Sequence, residues 1–131
     1  LYMTREALLE PIISSVRKGT ALSRYTILDY FEDWDVFPFE LDGQHVWTVV
    51  AKGTEVHFAL APDWRPKASM RGAVRAFIKP VFERHGFLTT RISHGRVAQK
   101  EFVKRIGFKP TWKDGDVEYY LLGSLPFERK L

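Results

Sequence analysis

Residues 102–122 read FVKRIGFKPTWKDGDVEYYLL, and this stretch decides the fold. It predicts the end of a helix, which runs from about Arg96 to Arg105 and stops at Gly107 because glycine accepts the left-handed conformation of a helix C-terminus. A hairpin follows the helix. Within the helix, we expect three residues to point inward: Ala98, Phe102 and Ile106. The predicted hairpin consists of the strand Phe108–Trp112, the turn Asp114-Gly115 and the strand Val117–Leu122.

The residues before this stretch predict a strand, a long helix and a second strand. Apolar residues recur at helical spacing from Met70 to Phe82, Pro80 is expected to kink the helix, and Gly86 ends it. The strand Glu55–Ala61 precedes the helix and the strand Phe87–Ile92 follows it. Because strands joined by one crossover helix run in the same direction, they predict a parallel pair within an otherwise antiparallel sheet.

The first half of the chain predicts two helices and a three-stranded meander. Thr4 is expected to cap a helix that runs to about Arg17 and that either kinks or begins at Pro11. Thr20 is expected to cap a second helix, which ends near Asp33-Trp34. The three strands are Val36–Leu41, with Pro38 favouring a sheet edge, His45–Ala51 and Glu55–Ala61, and turns are expected at Asp42-Gly43 and Lys52-Gly53.

Length and composition fit one α/β (α+β) domain. The 131 residues are enough for a single core, and 45% hydrophobic residues exclude a disordered chain. We expect N-terminal helices in residues 1–34, and a mixed sheet with two later helices in residues 35–131. The chain has no cysteine, which excludes disulfides and thiol catalysis and suits a reducing compartment such as the cytoplasm. No apolar run approaches the roughly 20 residues of a membrane span.

From about Phe37 to Leu122, this order of elements resembles the N-acetyltransferase (GNAT) family. The residues that carry the resemblance are the helix ending in Gly107-Phe108 and the closing hairpin, joined to the long helix and the parallel strands. The resemblance implies a GNAT-like mixed sheet. It also implies that acetyl-CoA binds in a V-shaped opening between the strands Glu55–Ala61 and Phe87–Ile92.

The resemblance further implies a loop that holds the cofactor pyrophosphate at the start of the long helix. In the family, glycines let the backbone approach the phosphates, and the helix N-terminus favours their charge. Here Ala68 stands at the first glycine position and Met70 replaces the second small residue. The alternative is a basic, solvated helix start. The candidate cofactor residues are Arg65, Lys67, Ala68, Ser69, Met70, Arg71 and Gly72.

A second departure from the family concerns the reaction. Many members carry a tyrosine four residues before the glycine of the Gly-Phe pair, where it protonates the departing thiolate; here that residue is Val103, which has no proton to give. Candidate general bases are Glu55 and His57 on one strand face and His94 after the parallel strand. Each also has a plainer structural interpretation. The four histidines lie on different elements and predict no metal site.

Basic residues predict a charged stripe on the long helix. Lys67, Arg71, Arg75 and Lys79 recur at intervals of four, and the chain has a net charge of +4. Such a stripe can follow a phosphate backbone or contact an acidic protein, or it can be a solvated face balanced by acidic neighbours. The sequence marks no exposed aromatic residue that would stack on the bases of a single strand.

Three functions are therefore open. The favoured one is a catalytically altered member of the fold with a structural or assembly role, because small basic domains of this kind resemble internal virion and head-assembly proteins of short-tailed bacteriophages. Its partner would then be another protein, and its location the host cytoplasm or the virion. The alternatives are an active acetyl-CoA-dependent N-acetyltransferase acting on an amine, and a nucleic-acid-binding accessory protein. No membrane partner is expected.

Overall fold

A computed structural model describes residues 3–41, 43–60 and 71–124, except the side chains of Leu41 and of residues 71–77. The order of elements is the one predicted from the sequence. The elements are α1 (Arg5–Gly19), α2 (Arg24–Tyr30), β1 (Asp35–Leu41), β2 (Gln44–Lys52), β3 (Glu55–Leu60), α3 (Arg71–His85), β4 (Leu88–Ser93), α4 (Val97–Ile106), β5 (Lys109–Asp114) and β6 (Val117–Leu122).

The six strands form one mixed sheet in the order β1-β2-β3-β4-β6-β5. The pair β3–β4 is parallel, with Glu55 opposite Thr89, which confirms the parallel pair that the strand–helix–strand order predicted. Pro38 lies in β1 at the sheet edge, also as predicted, where its missing N–H removes no bond to a further strand. Gly43, Gly53 and Gly115 have positive φ in the hairpin turns; Asp42, the other residue of the first predicted turn, lies outside the described residues.

The chain divides into two compact units, residues 1–52 with 57–68 and residues 53–56 with 69–131. The single-domain organisation stays a prediction. In the first unit, α1 and α2 contribute half of the buried residues of one apolar cluster. Its buried members are Leu9, Ile12, Ile13, Ile27, Phe31, Trp34, Val50 and Ala59.

Polar contacts join α1 to α2 around this cluster. The guanidinium of Arg5 donates to the carbonyl oxygens of Phe31 (2.7 Å), Glu32 (3.2 Å) and Trp34 (2.6 Å), which follow the last turn of α2. Helix C-termini leave carbonyl groups without helical partners, and a cation there also favours the helix dipole. Arg5, at the start of α1, therefore provides hydrogen-bond donors for the carbonyl groups at the end of α2.

In the second unit, the register of β4 with β6 separates a buried face from an open one. The pair is antiparallel over all six residues of each strand. Side chains of alternate residues point to opposite faces of a sheet. One face carries Leu88, Thr90, Ile92, Tyr120 and Leu122, which are all buried, and Glu118, which is half-buried opposite Ile92.

Two helix predictions were wrong in detail. Ser23, not Thr20, caps α2: its hydroxyl oxygen accepts from the N–H of Thr26, whereas the Thr20 hydroxyl donates to the Val16 carbonyl at the end of α1 (3.0 Å). The alternative start of α1 at Pro11 was also wrong, because the helix begins after the Thr4 cap and continues through a buried Pro11.

In α4, the predicted inward position of Ala98 was wrong, because Ala98 is exposed. The inward face is centred on Val103 and Ile106, which are both buried. Gly86 follows α3 with a positive φ, as predicted, and α3 is continuous through Pro80. Met70, the first apolar residue of its predicted stripe, lies outside the described residues, as does Ala61 at the predicted end of the strand before it. Among the described helices, none has the length and the apolar character that crossing a membrane requires.

We predict that Arg5→Ala lowers the free energy of unfolding by about 1–2 kcal/mol, because it removes charged donors from three carbonyl groups. Urea denaturation followed by circular dichroism measures the change. Arg17→Ala is the matched control, since Arg17 is exposed near the other end of the same helix. Equal effects of the two substitutions would contradict the role given to Arg5.

Candidate functional site

Val103, which the sequence resemblance aligned with the tyrosine of the family, belongs to the closing turn of α4. The N–H of Phe108 bonds to the Val103 carbonyl (3.0 Å) and the N–H of Gly107 to the Lys104 carbonyl (3.1 Å), with Gly107 at φ +120°. This is the Schellman motif, which often has apolar residues at the positions of Val103 and Phe108. Both side chains are buried, Val103 with 3% of its surface exposed. Val103 therefore has a structural reason to be apolar.

The two tyrosines of β6 lie on opposite faces of the sheet. Tyr120 is 1% exposed, and its hydroxyl donates to the Glu118 carboxylate. Burial, together with this hydrogen bond, raises the pKa of Tyr120 above the normal range of tyrosine. The same bond is the main reason that the pKa of Glu118 is lowered, with smaller contributions from Lys100 and Lys113. Tyr120 thus stays protonated and anchors a charged carboxylate.

Glu55, the first candidate base, lies at the start of β3 beside β4. Its carboxylate is half-buried, and Oε2 lies 3.5 Å from Nε of Arg91. The preceding residue holds the same two strands together, since the Thr89 N–H donates to the Thr54 carbonyl (2.7 Å). An adjacent cation favours the charged carboxylate, which is the form a general base needs, but it also gives Glu55 a structural role.

His57, the second candidate base, is half-buried on β3. Its ring lies 5.6 Å from the indole of buried Trp34, at an interplanar angle of 45°. His94, the third, is exposed in the turn between β4 and α4, where its backbone N–H donates to the Asp116 carbonyl. Each of the three candidate bases thus contacts another residue in the structure. Their catalytic roles stay predictions.

The predicted pyrophosphate loop lies largely outside the described residues. Arg65, Lys67, Ala68, Ser69 and Met70 belong to the part of the chain that the structure leaves out. Arg71 and Gly72 open the described part of α3, without a description of their side chains. Binding of acetyl-CoA at this loop therefore stays a prediction.

The basic stripe on α3 is described at one position. Nζ of Lys79 lies 3.9 Å from Oε1 of Glu83, one turn later on the same helix. An exposed pair of this kind contributes little to stability and agrees with the solvated-face interpretation. Lys67 lies outside the described residues, and nothing is described of the side chains of Arg71 and Arg75.

Within residues 3–41, 43–60 and 71–124, no group of three or more His, Cys, Asp or Glu side chains could hold a metal ion. Of the histidines, His45 is engaged through Nε2 with the hydroxyl of buried Thr48 (2.8 Å). That hydroxyl also donates to the Leu8 carbonyl of α1 (2.6 Å), so this histidine lies in a structural hydrogen-bond network.

A stacked aromatic pair at the hairpin was not predicted from the sequence. The rings of Trp112 and Tyr119 are parallel within 3°, with centroids 4.4 Å apart. The two residues are opposite each other in the β5–β6 register, next to an irregularity between Pro110 and Trp112. Alternation along β6 would have predicted that Tyr119 and Tyr120 lie on opposite faces of the sheet. The irregularity that brings Trp112 opposite Tyr119, however, cannot be recognised in the local sequence.

Comparison with known proteins identifies the fold. No family model matches the sequence, and no curated protein matches it significantly. Among solved structures, the chain is similar to a ribosomal-protein-alanine N-acetyltransferase from Brucella melitensis (15% identity, TM-score 0.62), over 92% of this chain and 97% of that one.

Two further structures are similar over most of their length. One is an acetyltransferase of the GNAT family from Bacillus anthracis (16% identity, TM-score 0.61, 94% of this chain and 87% of that chain). The other is the N-acetyltransferase PseH from Campylobacter jejuni in complex with acetyl coenzyme A (14% identity, TM-score 0.63, 92% of each chain). At these identities the likeness shows the fold alone, which is the GNAT acetyltransferase fold.

The contact between Tyr120 and Glu118 predicts a pH-dependent effect of Tyr120→Phe. Removing the hydroxyl should raise the pKa of Glu118 toward its ordinary value, measurable by NMR titration of the side-chain carboxyl carbon. A lowered folded-state pKa adds stability at neutral pH that is lost as the pH falls through the folded-state value. The stability difference between the wild type and Tyr120→Phe should therefore shrink below about pH 4.

Lys113→Gln is the control for this effect. Lys113 lies 3.6 Å from the same carboxylate but is largely exposed, so its removal should change the pKa of Glu118 less. An unchanged Glu118 pKa in Tyr120→Phe would contradict the assigned cause.

Proposed function

We propose that this chain is a GNAT-fold protein that no longer transfers an acetyl group and serves as a structural or assembly component. The observation that carries the proposal is Val103. Where the family's reaction uses a tyrosine hydroxyl, this chain has a buried aliphatic side chain in the Schellman end of α4. A side chain without a proton provides no general acid for the departing thiolate.

The packing around α4 supports the same interpretation. A tyrosine in place of Val103 would need room for a ring in a position that is 3% exposed, and overpacking a filled core is costly. Tyr120 retains a buried hydroxyl on β6, but that hydroxyl donates to Glu118. The buried, apolar site of Val103 thus supports a protein that has no proton donor at this position.

The assembly role rests on the resemblance to small internal virion and head-assembly proteins of short-tailed bacteriophages. Proteins of that kind keep the fold while losing the glycine loop and the tyrosine, as this sequence does with Ala68, Met70 and Val103. The partner we propose is another protein of a particle or of its assembly pathway. Residual affinity for CoA is compatible with this role, because main-chain groups can bind the pantetheine arm without the tyrosine.

An active N-acetyltransferase is the second candidate. The similar solved structures are acetyltransferases, and one of them is a complex with acetyl coenzyme A. In that case Glu55 or His57 would accept the proton of the amine. The two candidates differ in one measurable property, which is turnover.

We predict that the chain releases no CoA thiol above the uncatalysed rate when it is mixed with acetyl-CoA and a panel of polyamines, peptides and amino sugars. A thiol-reactive dye measures the release, and calorimetric titration with acetyl-CoA separates binding from turnover. Binding without turnover agrees with the proposal. Turnover that falls by about 100-fold or more in Glu55→Gln or His57→Gln would overturn it. Glu40→Gln, on an exposed carboxylate of β1, is the matched control.

A further inference from the structure

One face of the sheet formed by β4, β6 and β5 carries no buried side chain. The registers of β4 with β6 and of β6 with β5 arrange its residues in three rows across the strands. Every one of these side chains is exposed or half-buried. The rows are Thr89, Leu121 and Lys109; Arg91, Tyr119 and Trp112; and Ser93, Val117 and Asp114. We call these nine residues the open face.

The middle row of the open face carries a flat aromatic surface. Trp112 is 56% exposed, although it stacks in parallel on Tyr119. A ring pair that keeps so much indole surface in water offers a planar site for another π-system. Aromatic side chains on an uncovered sheet are also the means by which some nucleic-acid-binding domains stack successive unpaired bases.

Positive charge borders the aromatic pair. Arg91 is the next residue of the middle row, exposed and paired with the half-buried carboxylate of Glu55, and Lys109 is exposed at the end of the neighbouring row. The third row ends in Asp114, beside the turn. A polyanion is therefore favoured on the side of Lys109 and disfavoured near Asp114.

The later part of the sequence, which contains the open face, is also more basic than the earlier part. Residues 71–124 contain eleven Lys and Arg against five Asp and Glu, a net charge of +6, whereas residues 1–60 contain five against nine, a net charge of −4. The open face thus belongs to the basic part of the sequence. Two copies in contact would each bring the net positive charge of residues 71–124, while a nucleic acid would neutralise that charge.

We propose that the open face binds single-stranded nucleic acid, with bases stacked on Trp112 and Tyr119 and with phosphates beside Lys109 and Arg91. A single strand is required because a duplex keeps its bases stacked inside the helix and away from the indole. This site is separate from the predicted stripe on α3 and does not depend on the proposed loss of acetyl transfer.

The test is fluorescence anisotropy with labelled twelve-nucleotide oligothymidine and oligouridine and the full chain. We expect binding to both, or to one of them if the 2′-hydroxyl matters, with an affinity that falls as salt is raised. Trp112→Ala should weaken binding by about 5- to 100-fold, and Trp112→Phe should retain most of it because a ring remains. Lys109→Gln should reduce the slope of log affinity against log salt by about 0.7.

Tyr25→Ala is the matched control, because Tyr25 is 75% exposed on α2 in the acidic part of the sequence, and it should leave binding unchanged. Circular dichroism of each variant shows whether it is folded. Absence of binding, or equal binding by Trp112→Ala, would overturn the proposal. So would equal competition by polyphosphate or by duplex of the same length, which would indicate charge alone. Self-association lost in Trp112→Ala, without oligonucleotide binding, would assign the face to a second copy.

Discussion

The antiparallel register of β4 with β6 is the constraint on which the second unit depends. Because successive side chains alternate between faces, six paired residues decide at once which side chains enter the core. A shift of β4 by one residue against β6 would turn Leu88 to the exposed face and would bury Arg91 opposite Tyr120 or Glu118. The cost of burying a guanidinium without a full set of partners makes that alternative strongly unfavourable.

The same register accounts for the buried position of Tyr120 and for the exposed position of Tyr119, which stacks on Trp112. On the buried face of β4 and β6, Tyr120 holds the Glu118 carboxylate, and the Schellman end of α4 buries Val103 and Phe108. These residues form an ordinary core. On the open face, none of the nine residues is buried, and the stacked aromatic pair stays in contact with solvent. The fold of an acetyltransferase is thus kept while the chemically distinctive surface lies on the other side of the sheet.

The sequence predicted the parts of the structure that local chemistry determines. The bounds of β6, the positive φ of Gly107 and Gly115 and the parallel pair of β3 with β4 follow from turn residues, alternation and element order. The cap of α2 was missed because Thr20 and Ser23 are both good caps, and the choice depends on the Thr20 hydroxyl closing α1.

Contacts between distant residues account for the rest. The pairing of Glu55 with Arg91 joins residues on two neighbouring parallel strands, and the stack of Trp112 on Tyr119 depends on an irregularity in β5. Neither follows from spacing along the chain. The candidate bases were found from their residue types, but the side chains beside them, Arg91 and Trp34, could be known only from the fold.

Nuclear Overhauser contacts between side chains of β4, β5 and β6 test the register most directly. The account predicts cross-peaks from the ring of Tyr119 to the indole of Trp112 and to the side chain of Arg91, and cross-peaks from the ring of Tyr120 to Thr90 instead. Cross-peaks from the ring of Tyr119 to Thr90 and to the buried Ile92 would show that the faces of β6 are exchanged relative to β4, and would contradict both the core and the open face described for this unit.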